Sequence, residues 1–208
     1  MKKYGVEFIG TYFLVFVILM SANPAAIGAT LVALVYMGYS VSGAQYNPVV
    51  SLSIFLLKRM SIADFVFYVS AQLLAATAAA LTYYAITGNI YSPVPYHGMN
   101  ILKPLFSEAA FTFLLVFVIL QVAFSPKTKG NDYYGLAIGC TVMGIASAGG
   151  ALSGGVYNPA AGTGPILVEL MFGNSAAIHN LWLYLAGPLI GSIAATVTYR
   201  IINTDEFK

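Results

Sequence analysis

Charge is what this sequence has least of: Asp, Glu, Lys and Arg make up 8% of its 208 residues, against 59% hydrophobic. A soluble domain carries roughly 25% charged residues, so the chain lacks the polar surface to face water all round. It reads as an integral membrane protein. Nine basic and seven acidic residues leave a net charge of +2, with no basic cluster, which excludes nucleic acid as a partner. A single cysteine, Cys140, excludes an intrachain disulfide or a CxxC centre, and its apolar surroundings predict a small buried core residue. Histidine is nearly as scarce. His97 lies in the loop "PVPYHGMN" and His179 just before the last apolar stretch. No HExxH, GxSxG or carboxylate cluster accompanies them. Both read as surface residues, and the chain as a non-enzyme without metal or cofactor.

What is abundant is apolar length. A helix crossing the roughly 30 Å hydrocarbon core needs about 20 residues. Stretches of that length lie at 4–22, 25–42, 62–87, 103–124, 133–152 and 179–202. Two further runs, 47–57 and 158–171, are shorter. At about 1.5 Å per residue the first is about 16 Å long, half a bilayer. Neither spans alone. The opening "MKKYGVEFIGTYFLVFVILM" has the lysines and apolar run of a signal peptide. Its run is long for one, and its counterpart recurs mid-chain, so it is read as a first transmembrane helix. Lysines and arginines indicate the orientation. With the N-terminus inside and six crossings, Lys2, Lys3, Lys58, Arg59, Lys127, Lys129, Arg200 and Lys208 are cytoplasmic, and only Lys103 is outside. The expectation is a multi-pass protein of the plasma membrane with both termini cytoplasmic.

The halves repeat. "EFIGTYFLVFVI" at 7–18 aligns without gaps to "EAAFTFLLVFVI" at 108–119, and "SGAQYNPVV" at 42–50 to "SGGVYNPAA" at 153–161. "YVSAQLLAATAAA" at 68–80 stands opposite "YLAGPLIGSIAAT" at 184–196. The chain 1–208 is therefore one transmembrane channel domain of two repeats, about 1–90 and 103–208. Each repeat holds three spans and one short run, so the second is inverted. Inverted repeats meet about a pseudo-two-fold axis in the membrane plane, and interrupted segments at matching places point to the site.

Asn is a preferred N-cap, and Pro suits the first helical position because its missing N–H would be unpaired anyway. Asn47-Pro48 and Asn158-Pro159 each read as a helix start near the midplane, with Lys58 and Arg59 offsetting the negative end of the first short helix. Asn23-Pro24 is an ordinary helix start in a short loop, without a repeat partner. Two positive helix ends meeting at mid-membrane repel cations, while the leaders "SVSGAQY" and "ALSGGVY" supply carbonyls beside a water-filled path. That combination suits single-file passage of small neutral hydrogen-bonding molecules.

On these residues the chain resembles the aquaporin, or major intrinsic protein, family. "SGAQYNPVV" and "SGGVYNPAA" look like its two SG-x-x-NPA boxes, "EFIGTYFLVF" like its first-helix signature and "YLAGPLIGSIAA" like the GP-x-x-G stretch of its sixth helix. The resemblance implies an all-α right-handed bundle of six spans and two re-entrant half-helices, assembled as a homotetramer in lipid with one pore per subunit. It implies a pore constriction at Asn47, Pro48, Val49, Asn158, Pro159 and Ala160. Glu7 and Glu108 match buried glutamates that hold the re-entrant loops; the alternative is hydration near the interface. Gly10, Gly187 and Gly191 suit close helix contacts.

The chain also departs from the family. An arginine normally follows the second box; here Ala161 does. An ungapped count puts the other selectivity-filter positions at Ile27, Ala146 and Gly155, none of them large and polar. Val49 replaces alanine, which adds bulk beside the asparagine pair, and Gln45 stands where histidine is common. The expected filter is wide and apolar unless Tyr39 or Met143 fills it. It would pass water and also glycerol, urea or uncharged metalloid acids. A secondary transporter fits inverted repeats equally well but needs carboxylates at depth, where only Glu7 and Glu108 remain. A structural protein with little conductance is the other rival.

Overall fold

The computed structural model describes residues 1–96, 98 and 100–207, so the expectations for His97 and Lys208 lie outside the described residues. Among the described residues, six helical stretches are long and apolar enough to cross a membrane: Lys2–Ser21, Pro24–Ser42, Ile62–Thr87, Leu102–Phe124, Tyr134–Ser153 and Ala176–Ile202. We label the α-helices α1 (Lys2–Ser21), α2 (Pro24–Ser42), α3 (Pro48–Leu56), α4 (Ile62–Thr87), α5 (Leu102–Ile119), α6 (Tyr134–Ser153), α7 (Pro159–Phe172) and α8 (Leu181–Ile202). The short runs are α3, of 9 residues, and α7, of 14. The six spans lie within a few residues of the sequence expectation. One detail differs: α5 finishes in a π-helical turn, Leu120–Phe124.

Local chemistry sets the ends. Asn23 caps α2 by accepting from the N–H groups of Ala25 and Ala26, and Ser61 caps α4 by accepting from that of Asp64. Gly43 and Gly154 close α2 and α6 with φ of 83° and 92°. That is a left-handed conformation which costs glycine nothing. At these two matching points the chain turns back into the bundle and forms the re-entrant segments.

The repeat is visible in the packing: α1 lies on α4 as α5 lies on α8, and α2 meets α6 between the halves. Gly28 and Gly139, which correspond in the repeat register, face each other there. A Cβ on Gly28 would fall 2.6 Å from the Gly139 carbonyl oxygen, and one on Gly139 would fall 2.5 Å from that of Gly28. Gly187 and Gly191 let α8 close on α5, where a Cβ would meet Glu108 Cβ at 2.5 Å and the Ala109 carbonyl at 2.2 Å. Lipid gives helices no hydrophobic reason to associate, so contact this close and internal hydrogen bonds hold them together. Gly10 differs from the expectation: its close neighbour is the Tyr46 ring of a re-entrant segment, not a helix.

The outer face of the bundle is greasy. Ile62, Val66, Leu74, Phe106, Ile193 and Val197 are exposed, while Gln72, Thr11 and Ser192 are fully buried. Cys140 belongs to the outer face, which corrects the expectation of a buried core residue. In a bilayer an apolar neighbourhood is supplied by lipid as readily as by protein, so hydrophobicity alone does not choose the face. Arg59 also departs from the expectation. Its guanidinium leaves the end of α3 to donate to the Phe124 carbonyl and pair with Glu206 at 2.9 Å.

Candidate pore

Each re-entrant segment is held by one buried carboxylate. The Ser42 hydroxyl and the Gln45 N–H donate to one oxygen of Glu7 at 2.7 and 2.9 Å. The Tyr46 N–H and the Gln72 amide donate to the other at 2.7 and 2.9 Å. Glu108 repeats the pattern: the Ser153 hydroxyl at 2.6 Å and the Val156 N–H at 3.0 Å on one oxygen, the Tyr157 N–H at 2.7 Å on the other. Both glutamates have no exposed surface, which removes the alternative of hydration at the interface. A charge-assisted bond is about twice as strong as a neutral one, so two carboxylates can fix irregular backbone at this depth. Gln72 has no equivalent in the second half, because Pro188 stands at its place.

The residue before each asparagine does more than its sequence suggests. Tyr46 and Tyr157 both have φ of 48°, a left-handed conformation that costs a non-glycine residue on the order of 1–3 kcal/mol. Their side chains pin them there. The Tyr46 hydroxyl donates to the Leu34 carbonyl at 2.9 Å and that of Tyr157 to the Ile145 carbonyl at 3.2 Å. Each ring slots against a glycine: a Cβ on Gly38 would sit 1.9 Å from the Tyr46 hydroxyl, and one on Gly149 would sit 2.0 Å from that of Tyr157.

This turn aims the asparagines. Asn47 Oδ1 accepts from the Val49 N–H at 3.1 Å, and Asn158 Oδ1 from the Ala160 N–H at 3.0 Å, so each caps its short helix. Asn47 Nδ2 donates to the Tyr157 carbonyl at 3.0 Å, and Asn158 Nδ2 to the Tyr46 carbonyl at 2.9 Å. The halves thus clasp each other reciprocally. An amide NH2 carries two donors. One is used in the clasp, and both asparagines line a cavity.

A cavity of about 420 Å³ runs past this point. Asn47 and Asn158 line it, as do repeat-related pairs above and below: Leu14 with Leu115, Ile18 with Ile119, Ile27 with Ile138, and Val50 with Ala161. Its wall contains no Asp, Glu, Lys, Arg or His among the described residues. Both leaders, Ala44–Tyr46 and Gly154–Tyr157, border it. Glu7 and Glu108 do not; they stand behind the wall.

The other expected site residues divide. Ile27, Ala146, Gly155 and Ala161 all border the cavity. Pro48, Val49, Pro159 and Ala160 do not border it. They are buried in the first turns of α3 and α7, and the branched side chain at the wall is that of Val50. Successive helical residues point about 100° apart, so Val49 and Val50 cannot both face the path. Met143 and Tyr39 do not border the cavity either. Met143 packs beside Gly28, and Tyr39 lies near the face that carries the termini. The sequence reading also missed a loop: Tyr91, Ser92, Pro93 and Val94 form part of the wall at the opposite face. The Ser92 hydroxyl ties the loop to the Pro165 carbonyl at 3.3 Å, and the Tyr96 N–H ties it to the Leu152 carbonyl at 3.2 Å. Two prolines within "YSPVPY" signal extended backbone there but not its position.

Comparison with known proteins bears on this geometry. Residues 20–199 match the family described as Major intrinsic protein. The chain is 30% identical to the aquaporin AqpM of Methanothermobacter thermautotrophicus, with 98% of each chain covered. It is 29% identical to the glycerol uptake facilitator protein-like 6 of Lactiplantibacillus plantarum, covering 99% of this chain and all of that one. In fold it is similar to the aquaglyceroporin from Plasmodium falciparum, with a TM-score of 0.85 at 20% identity over 98% of this chain and 97% of the other.

Proposed function

The chain belongs to the major intrinsic protein family, and from that premise we propose that its pore admits glycerol, urea or uncharged metalloid acids besides water. Membership makes it a multi-pass membrane channel for water or small solutes and not an enzyme. The wider selectivity is our reading. One observation carries it: Ile27, Ala146, Gly155 and Ala161 border the cavity, and none offers a charge or a side-chain donor. A fixed charge at the filter rejects a solute that cannot satisfy it, and these four residues, none of them large and polar, supply no such charge. The Asn47 and Asn158 amides then serve as the polar station, flanked by Pro48, Val49, Pro159 and Ala160, which start the two helices.

Stopped-flow light scattering on proteoliposomes tests this. We expect water, glycerol and urea all to equilibrate faster than in empty vesicles. Fast water with complete exclusion of glycerol and urea would overturn the reading. Ala161→Arg is expected to suppress glycerol and urea uptake, and unchanged uptake would remove position 161 from the filter. We further infer one channel domain over 1–208, a homotetramer in the plasma membrane, and a cytoplasmic face bearing both termini. Lys2, Lys3, Lys58, Arg59, Lys127 and Lys129 favour that orientation, opposite Lys103.

A further inference from the structure

The segment that joins the two repeats builds one mouth of the path and has no copy at the other. Residues 91–102 fall between the repeats, so Tyr91, Ser92, Pro93 and Val94, which border the cavity, have no counterpart in the repeat register. The loop is laid on the second re-entrant segment. Pro93 Cβ and the Val94 carbonyl oxygen lie 3.4 and 3.5 Å from where a Cβ on Gly154 would fall, next to the filter position Gly155. Ser92 is tied to the Pro165 carbonyl, one turn of α7 beyond Ala161, and Tyr96 to the Leu152 carbonyl at the end of α6. Tyr91, adjacent to Ser92, therefore borders the cavity on the side of Gly155 and Ala161.

Four residues of the cavity wall carry a hydroxyl: Tyr46, Tyr91, Ser92 and Tyr157. Three of them spend it within the protein. Tyr46 donates to the Leu34 carbonyl, Tyr157 to that of Ile145 and Ser92 to that of Pro165, whereas the Tyr91 hydroxyl has no partner among the described residues. Tyr91 is 39% exposed, yet its hydroxyl does not stand in bulk water. Burial pushes the phenol pKa up, and the nearby Tyr83 adds to the shift. A tyrosine hydroxyl inside a protein ordinarily finds a partner. Here the place left for one is the cavity that the residue borders.

We propose that Tyr91 is the polar group of this mouth, its hydroxyl hydrogen-bonding water or a neutral solute where Ile27, Ala146, Gly155 and Ala161 offer no side-chain donor. A phenol exchanges hydrogen bonds in both directions and carries no charge, so it favours neutral molecules with hydroxyl or amide groups. The proposal rests on the chain conducting water and not on the wider selectivity above. Proteoliposomes of wild type and Tyr91→Phe, compared at several temperatures, test it. The substitution keeps the ring and removes only the oxygen. Water permeability is expected to fall by roughly fivefold, equivalent to one net hydrogen bond of about 1 kcal/mol, and its temperature dependence to steepen. A steeper dependence cannot come from fewer folded channels, which lower the flux alone. Permeability equal to or above wild type overturns the proposal, and so does a lower permeability with unchanged temperature dependence. Glycerol and urea, measured alongside, are expected to slow at least as much as water. Exclusion of both by the wild type would sink the selectivity reading and leave the water comparison to decide the role of Tyr91.

Discussion

Replacing Glu7 tests how the first re-entrant segment is held, and its cost can be worked from the four donors around it. In Glu7→Leu two of those donors can adapt. The Ser42 hydroxyl can turn to the Gly38 carbonyl, 3.4 Å away, and the Gln72 amide keeps Ser51 Oγ at 3.1 Å. The N–H groups of Gln45 and Tyr46 cannot turn, because the backbone that carries them is pinned by the Tyr46 ring. Each buried orphan donor costs about 1–3 kcal/mol, so Glu7→Leu should lose about 2–6 kcal/mol. Glu7→Gln keeps one carbonyl oxygen for one of the two N–H groups and should lose about 1–3 kcal/mol. Thermal unfolding in detergent should therefore rank wild type above Glu7→Gln and Glu7→Gln above Glu7→Leu. Water permeability should follow the same order, since Asn47 is positioned by the segment that Glu7 holds. Equal melting of Glu7→Leu and wild type would refute the argument, as would equal losses in the two variants.

Three other predictions concern protons. The described cavity wall carries no side chain that titrates between pH 5 and 8, so wild-type water permeability should be flat across that range. Gln45→His puts an imidazole on the wall, facing two positive helix ends that hold its pKa below about 6.5. Its permeability should fall on acidification below that value; a flat profile would show that position 45 does not face the stream. At the C-terminus, burial pushes the Glu206 carboxyl up, but donors from Ser125, Tyr199 and Arg59 outweigh it and leave its pKa below the ordinary range. A depressed pKa contributes stability that is present above the unfolded value and lost as pH falls through the folded one. Amides of residues 203–207 should thus be less protected near about pH 3 than at neutral pH, each rate being taken relative to intrinsic exchange at that pH. Equal protection would mean that the carboxylate does not hold this end.

How much could be read in advance depended on the range of the interaction. Six spans and two half-helices follow from apolar length, and Asn-Pro predicts a capped start wherever it occurs; both are local properties of the chain. Glu7 and Glu108 were recognisable because the repeat pairs them and a carboxylate at membrane depth needs partners. The side of the helix that faces lipid was not legible at Cys140, since membrane and core are equally apolar. Val49 and Val50 are adjacent in sequence, and only the rotation of α3 decides which borders the path.

The sequence by itself determined the inverted repeat, the spans and the polar heads of α3 and α7, because hydrophobic length and N-cap chemistry act within one segment. Tertiary structure alone decided that Asn47 and Asn158 clasp each other's leaders and that Tyr91–Val94 form part of the wall at one mouth. Those outcomes come from contacts between segments distant in the chain. Two repeats with nearly the same pattern can therefore build unlike mouths, because the segment that joins them is laid on only one.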